Sequence, residues 1–81
     1  MKIELGYYKH YKNKLYSVSG TAKNTETLED MVIYKAMYGD HDNWVRPLSM
    51  FLETIIVDGK EIKRFTKISI KEAIDLMRQD G

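Results

Sequence analysis

Acid–base or metal chemistry in this chain would have to start from His10 and His41, its two histidines. A histidine beside a carboxylate can move protons near neutral pH. His10, Glu26 and Arg46 are therefore the residues that would build a small-molecule or enzyme site if the fold gathered them in one cleft. The stronger reading makes His10 a half-exposed residue on a strand, because a fold alone does not make a site. His41 lies between Asp40 and Asp42, which could hold a metal weakly. Zinc sites want three or four protein ligands, so a solvated acidic turn is the better account, and no metal is expected. No Gly-x-Ser-x-Gly motif and no phosphate-cradling glycine loop is present; Gly6 and Gly39 stand alone. The chain is accordingly expected to be non-catalytic and to carry no cofactor.

Binding residues are easier to nominate. Arg46 follows Trp44-Val45 and precedes Pro47. A guanidinium in an apolar stretch must find a partner or expose its head, because burying it bare is costly. The structural reading is an ion pair to Glu26, Glu29 or Glu53; the functional one is a fork for a carboxylate or phosphate. Near the N-terminus Tyr7, Tyr8, Tyr11 and Tyr16 interleave with Lys9, Lys12 and Lys14. Such a surface suits a protein or peptide partner, with tyrosines as hydrogen-bonding anchors. It also suits stacked bases, although no RNA-binding signature accompanies it. The bland alternative puts half the tyrosines in the core and uses the lysines to protect an edge strand.

These residues need elements to position them. Alternation over Tyr7 to Tyr11 predicts a strand with Tyr7, Lys9 and Tyr11 on one face and Tyr8, His10 and Lys12 on the other. Lys12-Asn13-Lys14 reads as a tight turn, with Asn13 suited to positive φ. Leu15 to Ala22 returns, with Gly20 marking a bulge or bend. Met31 to Tyr38 is the richest strand, apolar on both faces and so expected inside the sheet. Trp44-Val45-Arg46 is a short strand stopped by Pro47, and Leu48 to Phe51 a single 3₁₀ turn. Leu52 to Val57 and Lys60 to Lys67 pair across Asp58-Gly59, a strong hairpin signal. Ser69 and Glu72 match a capping box. Behind them Ile70, Ala73, Ile74 and Met77 form one helical face. Trp44, Phe51, Phe65, Val32 and Tyr34 are assigned to the core.

The fold expected is mainly β, a small SH3-like antiparallel barrel of five or six short strands with a short C-terminal helix. It forms one domain over residues 1–81, with the barrel at about 5–67 and the helix at about 70–79. A flat sheet packed by the helix on one face is the alternative. At 81 residues the core must be thin. With 43% hydrophobic and 31% charged residues, the composition is ordinary for a globular protein. No apolar run approaches a transmembrane helix, and Met1 to Leu5 is too charged for a signal-peptide core. Cysteine is absent, which fits a reducing compartment and a cytoplasmic location. The formal net charge of +1 argues against a generic polyanion binder. The charge is uneven, with residues 1–23 basic and residues 24–62 acidic.

Gly6-Tyr7-Tyr8-Lys9-His10-Tyr11-Lys12, then Tyr16-Ser17-Val18, Val32 to Gly39, Trp44-Val45-Arg46-Pro47-Leu48-Ser49-Met50-Phe51, Asp58-Gly59-Lys60 and Arg64-Phe65 occur in that order. This series resembles a small bacterial family of domains of unknown function, over roughly residues 5–66. Lys14 stands where that family commonly has glycine. The resemblance implies a small β-barrel fold and assigns no activity, cofactor or catalytic residue. The leading expectation is a non-catalytic binding module that contacts a protein or peptide through the Tyr7–Tyr16 hairpin and Arg46, with no membrane association. The alternative is a nucleic-acid accessory domain using the same basic hairpin. Candidate binding residues are Arg46, His10, Tyr7, Tyr11, Lys9, Lys12 and Glu26.

Overall fold

Asn13 adopts φ 63°, and Asp58 and Gly59 adopt φ 51° and 77°. These left-handed conformations are what two tight hairpins require, and they set the strand order. The computed structural model describes residues 3–80. Its strands are β1 Gly6–His10, β2 Leu15–Lys23, β3 Asp30–Ala36, β4 Asn43–Pro47, β5 Thr54–Val57, β6 Lys60–Lys63 and β7 Phe65–Lys67. The helices are α1 Leu48–Phe51 and α2 Ile70–Asp80. An antiparallel five-stranded sheet runs β4-β3-β2-β1-β7, and β5-β6 forms a separate hairpin.

The protein is thus mainly β with a short C-terminal helix, but the sheet does not close into a barrel. Its outer strands, β4 and β7, do not pair with each other. The reason lies at Arg64, which interrupts the expected continuous strand from Lys60 to Lys67. Its N–H donates to the Glu53 carbonyl at 2.9 Å, and its own carbonyl accepts from Tyr11 N–H at 3.0 Å. The chain therefore passes from one sheet to the other at this residue. Gly20 marks the bulge expected of it: the β2–β3 register shifts between Val18 and Gly20.

Strand alternation divides the core into two layers. Tyr8 pairs with Tyr16 and His10 with Phe65, so these four share one face of the sheet. On that face Tyr8, Val18, Val32, Tyr34, Leu48, Phe51 and Phe65 form the main buried cluster. Phe51 closes its centre. It stacks on Phe65 at 4.1 Å and meets Tyr8 and Tyr34 edge-on at 5.3 and 5.4 Å. The opposite face buries Leu15, Ile68 and Ala73, with Tyr7, Met37, Leu76 and Met77 packed around them.

The helix therefore docks on the sheet through Ala73, Leu76 and Met77. Ile70 and Ile74, expected on its inner face, are 68% and 42% exposed. Ser69 caps it as anticipated, its Oγ accepting from Glu72 N–H at 3.1 Å. Neither described helix is long and apolar enough to cross a membrane. One core assignment fails. Trp44 is 52% exposed, because it sits on β4 at the sheet edge, beyond the reach of the α1 plug.

Candidate functional site

The Tyr7–Tyr16 hairpin does not present its residues on one surface. Tyr7 packs on the α2 side, and Lys9, opposite Leu15, shares that side. Tyr8 is core, and its hydroxyl donates to the Glu4 carbonyl at 2.7 Å. Burial, and secondarily Glu4, raises its pKa. Glu26 lies beyond the far end of β2 from His10, across nine residues that span roughly 25 Å. Its N–H donates to Asn24 Oδ1 in a loop turn. The cleft of His10, Glu26 and Arg46 therefore does not form; His10 and Arg46 are instead linked through the rings of Tyr16 and Tyr34.

Both border the aromatic floor of the main core. The His10 ring lies 5.0 Å from Phe65, 6.2 Å from Tyr16 and 4.4 Å from Tyr11. Tyr16 lies 5.4 Å from Tyr34. Arg46 Nε donates to the Tyr34 hydroxyl at 3.4 Å, which draws the guanidinium from the sheet edge over this floor. None of the ion pairs expected for Arg46 is made: among the described residues, no carboxylate lies within salt-bridge distance of it.

Cations surround the histidine. Burial depresses the His10 pKa first, and Arg64, Lys12 and Arg46 depress it further. The ring is therefore neutral at pH 7. Its Nδ1 accepts from Lys12 N–H at 3.2 Å, so the neutral ring carries its proton on Nε2 and offers it as a donor. Lys12 also lies 5.7 Å over the Tyr11 ring, and Lys14 5.1 Å over Tyr38. The Tyr16 and Tyr38 hydroxyls bond each other. Burial, then that bond, pushes the Tyr16 pKa well up, so its phenol stays protonated. Arg64 bonds Glu53 Oε2 through one terminal nitrogen at 3.4 Å, while its Nε is buried with no hydrogen-bond partner.

The result is a half-buried patch of tyrosines and one histidine, rimmed by Lys12, Lys14, Arg46 and Arg64 and bordered by exposed Trp44. It is rich in donors and poor in acceptors. Sequence reasoning missed three of its members. Trp44 was assigned inward by its size, whereas its alternation with Arg46 already placed the two on one face. Tyr38 shares the parity of Tyr34 in the expected strand, a signal that was available; Arg64 enters only through the switch between sheets, for which no local pattern exists.

The sequence profile of a family described as "Protein of unknown function (DUF1653)" matches residues 6–67. A comparison with curated proteins finds no match. Among solved structures, the crystal structure of a protein belonging to DUF1653 from Bordetella bronchiseptica is similar, with a TM-score of 0.75 and 29% identity. The similarity covers 83% of this chain and 88% of that one.

Proposed function

The chain belongs to the DUF1653 family, and we propose that it acts as a non-catalytic binding module whose ligand is a protein or peptide. One observation carries the reading. Trp44, 52% exposed, stands two residues from Arg46, whose guanidinium has no carboxylate partner among the described residues. Trp, Tyr and Arg dominate the energetic centres of protein interfaces, and here all three border one face. Their apolar surface and unspent hydrogen-bond donors gain most when a partner excludes water. The non-catalytic part rests on the chemistry of the same face. Among the described residues His10 has no carboxylate bonded to it, and Tyr16 holds its proton too firmly to serve as a base. The cysteine-free composition supports a cytoplasmic setting.

The test is affinity capture on immobilised wild-type domain, with Trp44→Ala and Arg46→Ala in parallel. Proteins retained by the wild type and lost from both variants are expected. Identical retained sets on all three would refute the reading. A parallel titration with single-stranded RNA separates the nucleic-acid alternative: shifts on Tyr11, Lys12 and Tyr38 that fade as salt rises would favour it.

A further inference from the structure

The rim of this face is chemically one-sided. Arg46, Arg64 and His10 come from β4, the β6–β7 junction and the end of β1, yet Arg46 and His10 border one aromatic floor and both guanidiniums raise the positive potential at the His10 ring. Each holds an unused donor. Arg46 spends only Nε, on Tyr34. Arg64 spends one terminal nitrogen on Glu53, and among the described residues its other terminal nitrogen makes no hydrogen bond. His10 offers Nε2–H, because Nδ1 is occupied. Among the described residues, the one carboxylate paired at the rim is Glu53, on Arg64. Lys12 and Lys14 add charge from the adjoining turn. Such a set of donors, in a positive field and partly shielded from water, is matched by an oxyanion.

We infer that His10, Arg46 and Arg64 form a receiving site for a carboxylate, by which an acidic segment of a partner protein docks on this face. The inference rests on the reading of the face as a binding surface, and it names what that surface recognises. A carboxylate supplies the acceptors that the terminal nitrogens of Arg46 and Arg64 lack. It also offsets the repulsion His10 feels from Arg64, Lys12 and Arg46. Tyr11 and Tyr16 are the other titratable side chains against His10; Tyr16 stays neutral and contributes a dipole only. Binding should therefore draw a proton onto His10, and affinity should rise as the pH falls from 7 toward 6.

The experiment is a titration of the isotope-labelled full chain at constant ionic strength with an end-capped tetraglutamate peptide. Tetraglutamine and inorganic phosphate serve as the other two arms. Tetraglutamate is expected to shift the side-chain Nε resonances of Arg46 and Arg64 and to raise the His10 titration midpoint. Tetraglutamine should do neither. Arg46→Gln should weaken the response roughly tenfold or more, the loss of a charge-assisted contact, with Tyr8 and Phe51 resonances unmoved to show an intact core. Trp44→Ala should keep the response while losing partner capture. Arginine resonances blind to tetraglutamate would overturn the inference even if Trp44→Ala abolishes capture, and the binding-module reading would then stand alone. A full tetraglutamate response with capture unaffected by Trp44→Ala and Arg46→Ala would keep the anion site and remove that reading. Phosphate bound about tenfold tighter than tetraglutamate would also overturn it, because the site would then select a different anion.

Discussion

Replacing Phe51 tests the packing on which both the core and the site depend. Its ring is 0% exposed, stacked on Phe65 and edge-on to Tyr8 and Tyr34. Its backbone is pinned in the single turn of α1, where Leu52 N–H bonds the Leu48 carbonyl at 3.0 Å. The turn cannot simply collapse into a void. Phe51→Ala should therefore cost about 4 kcal/mol, within the range for a buried ring cut to alanine. A chain of this length is worth roughly 4–12 kcal/mol in total, so that variant stands near the edge of folding. Phe51→Leu is the quantitative probe. It keeps most of the apolar volume and loses three ring–ring pairs, each worth about 0.5–1.5 kcal/mol. Some replacement contact is regained, so the net cost should be roughly 1–3 kcal/mol. With a urea slope of about 1 kcal/mol/M for so small a domain, the midpoint should fall by roughly 1–3 M. Equilibrium unfolding followed by tyrosine fluorescence and circular dichroism measures it. A midpoint within about 0.3 M of wild type would refute the claim that the ring stack holds this face together.

Two further outcomes follow from the geometry. Ser69→Ala removes the acceptor for Glu72 N–H and should destabilise the protein by about 1 kcal/mol; an unchanged urea midpoint would mean that docking through Ala73, Leu76 and Met77 holds the helix without the cap. The lowered His10 pKa makes the unfolded state the better proton binder, so stability should fall as the pH drops below about 7 through the folded value and then level off. His10→Gln should flatten that slope in thermal melts between about pH 7.5 and 5, before the carboxylates titrate. Parallel wild-type and variant curves would contradict the charge environment described here.

Much of the fold was legible because its signals are local. Positive φ at Asn13, Asp58 and Gly59 is a property of short side chains and of glycine. The opposite faces of Tyr7 and Tyr8 follow from the strand period of two, and the Ser69 cap from a spacing of three. Two-sided apolar character correctly put β3 inside the sheet, between β2 and β4. Arg46 and His10 could be nominated because an arginine among apolar residues and a lone histidine are locally conspicuous.

What lay beyond the sequence depended on residues distant along the chain. Ile70 and Ile74 fit the helical stripe as well as Met77 does, but Leu15 and Ile68 leave room only for the Ala73 side of α2. Trp44 is apolar enough for a core, yet the sheet ends at β4 and leaves it half exposed there. Glu26 and His10 lie only 16 positions apart in the chain, but β2 separates them by nearly its whole length. Local residue chemistry determined the strands, the turns and the helix cap. Closure of the sheet, the exposure of Trp44 and the approach of Arg46 and Arg64 to His10 were decided by tertiary pairing, because a switch of sheets at one residue such as Arg64 gives the strand after it a different neighbour.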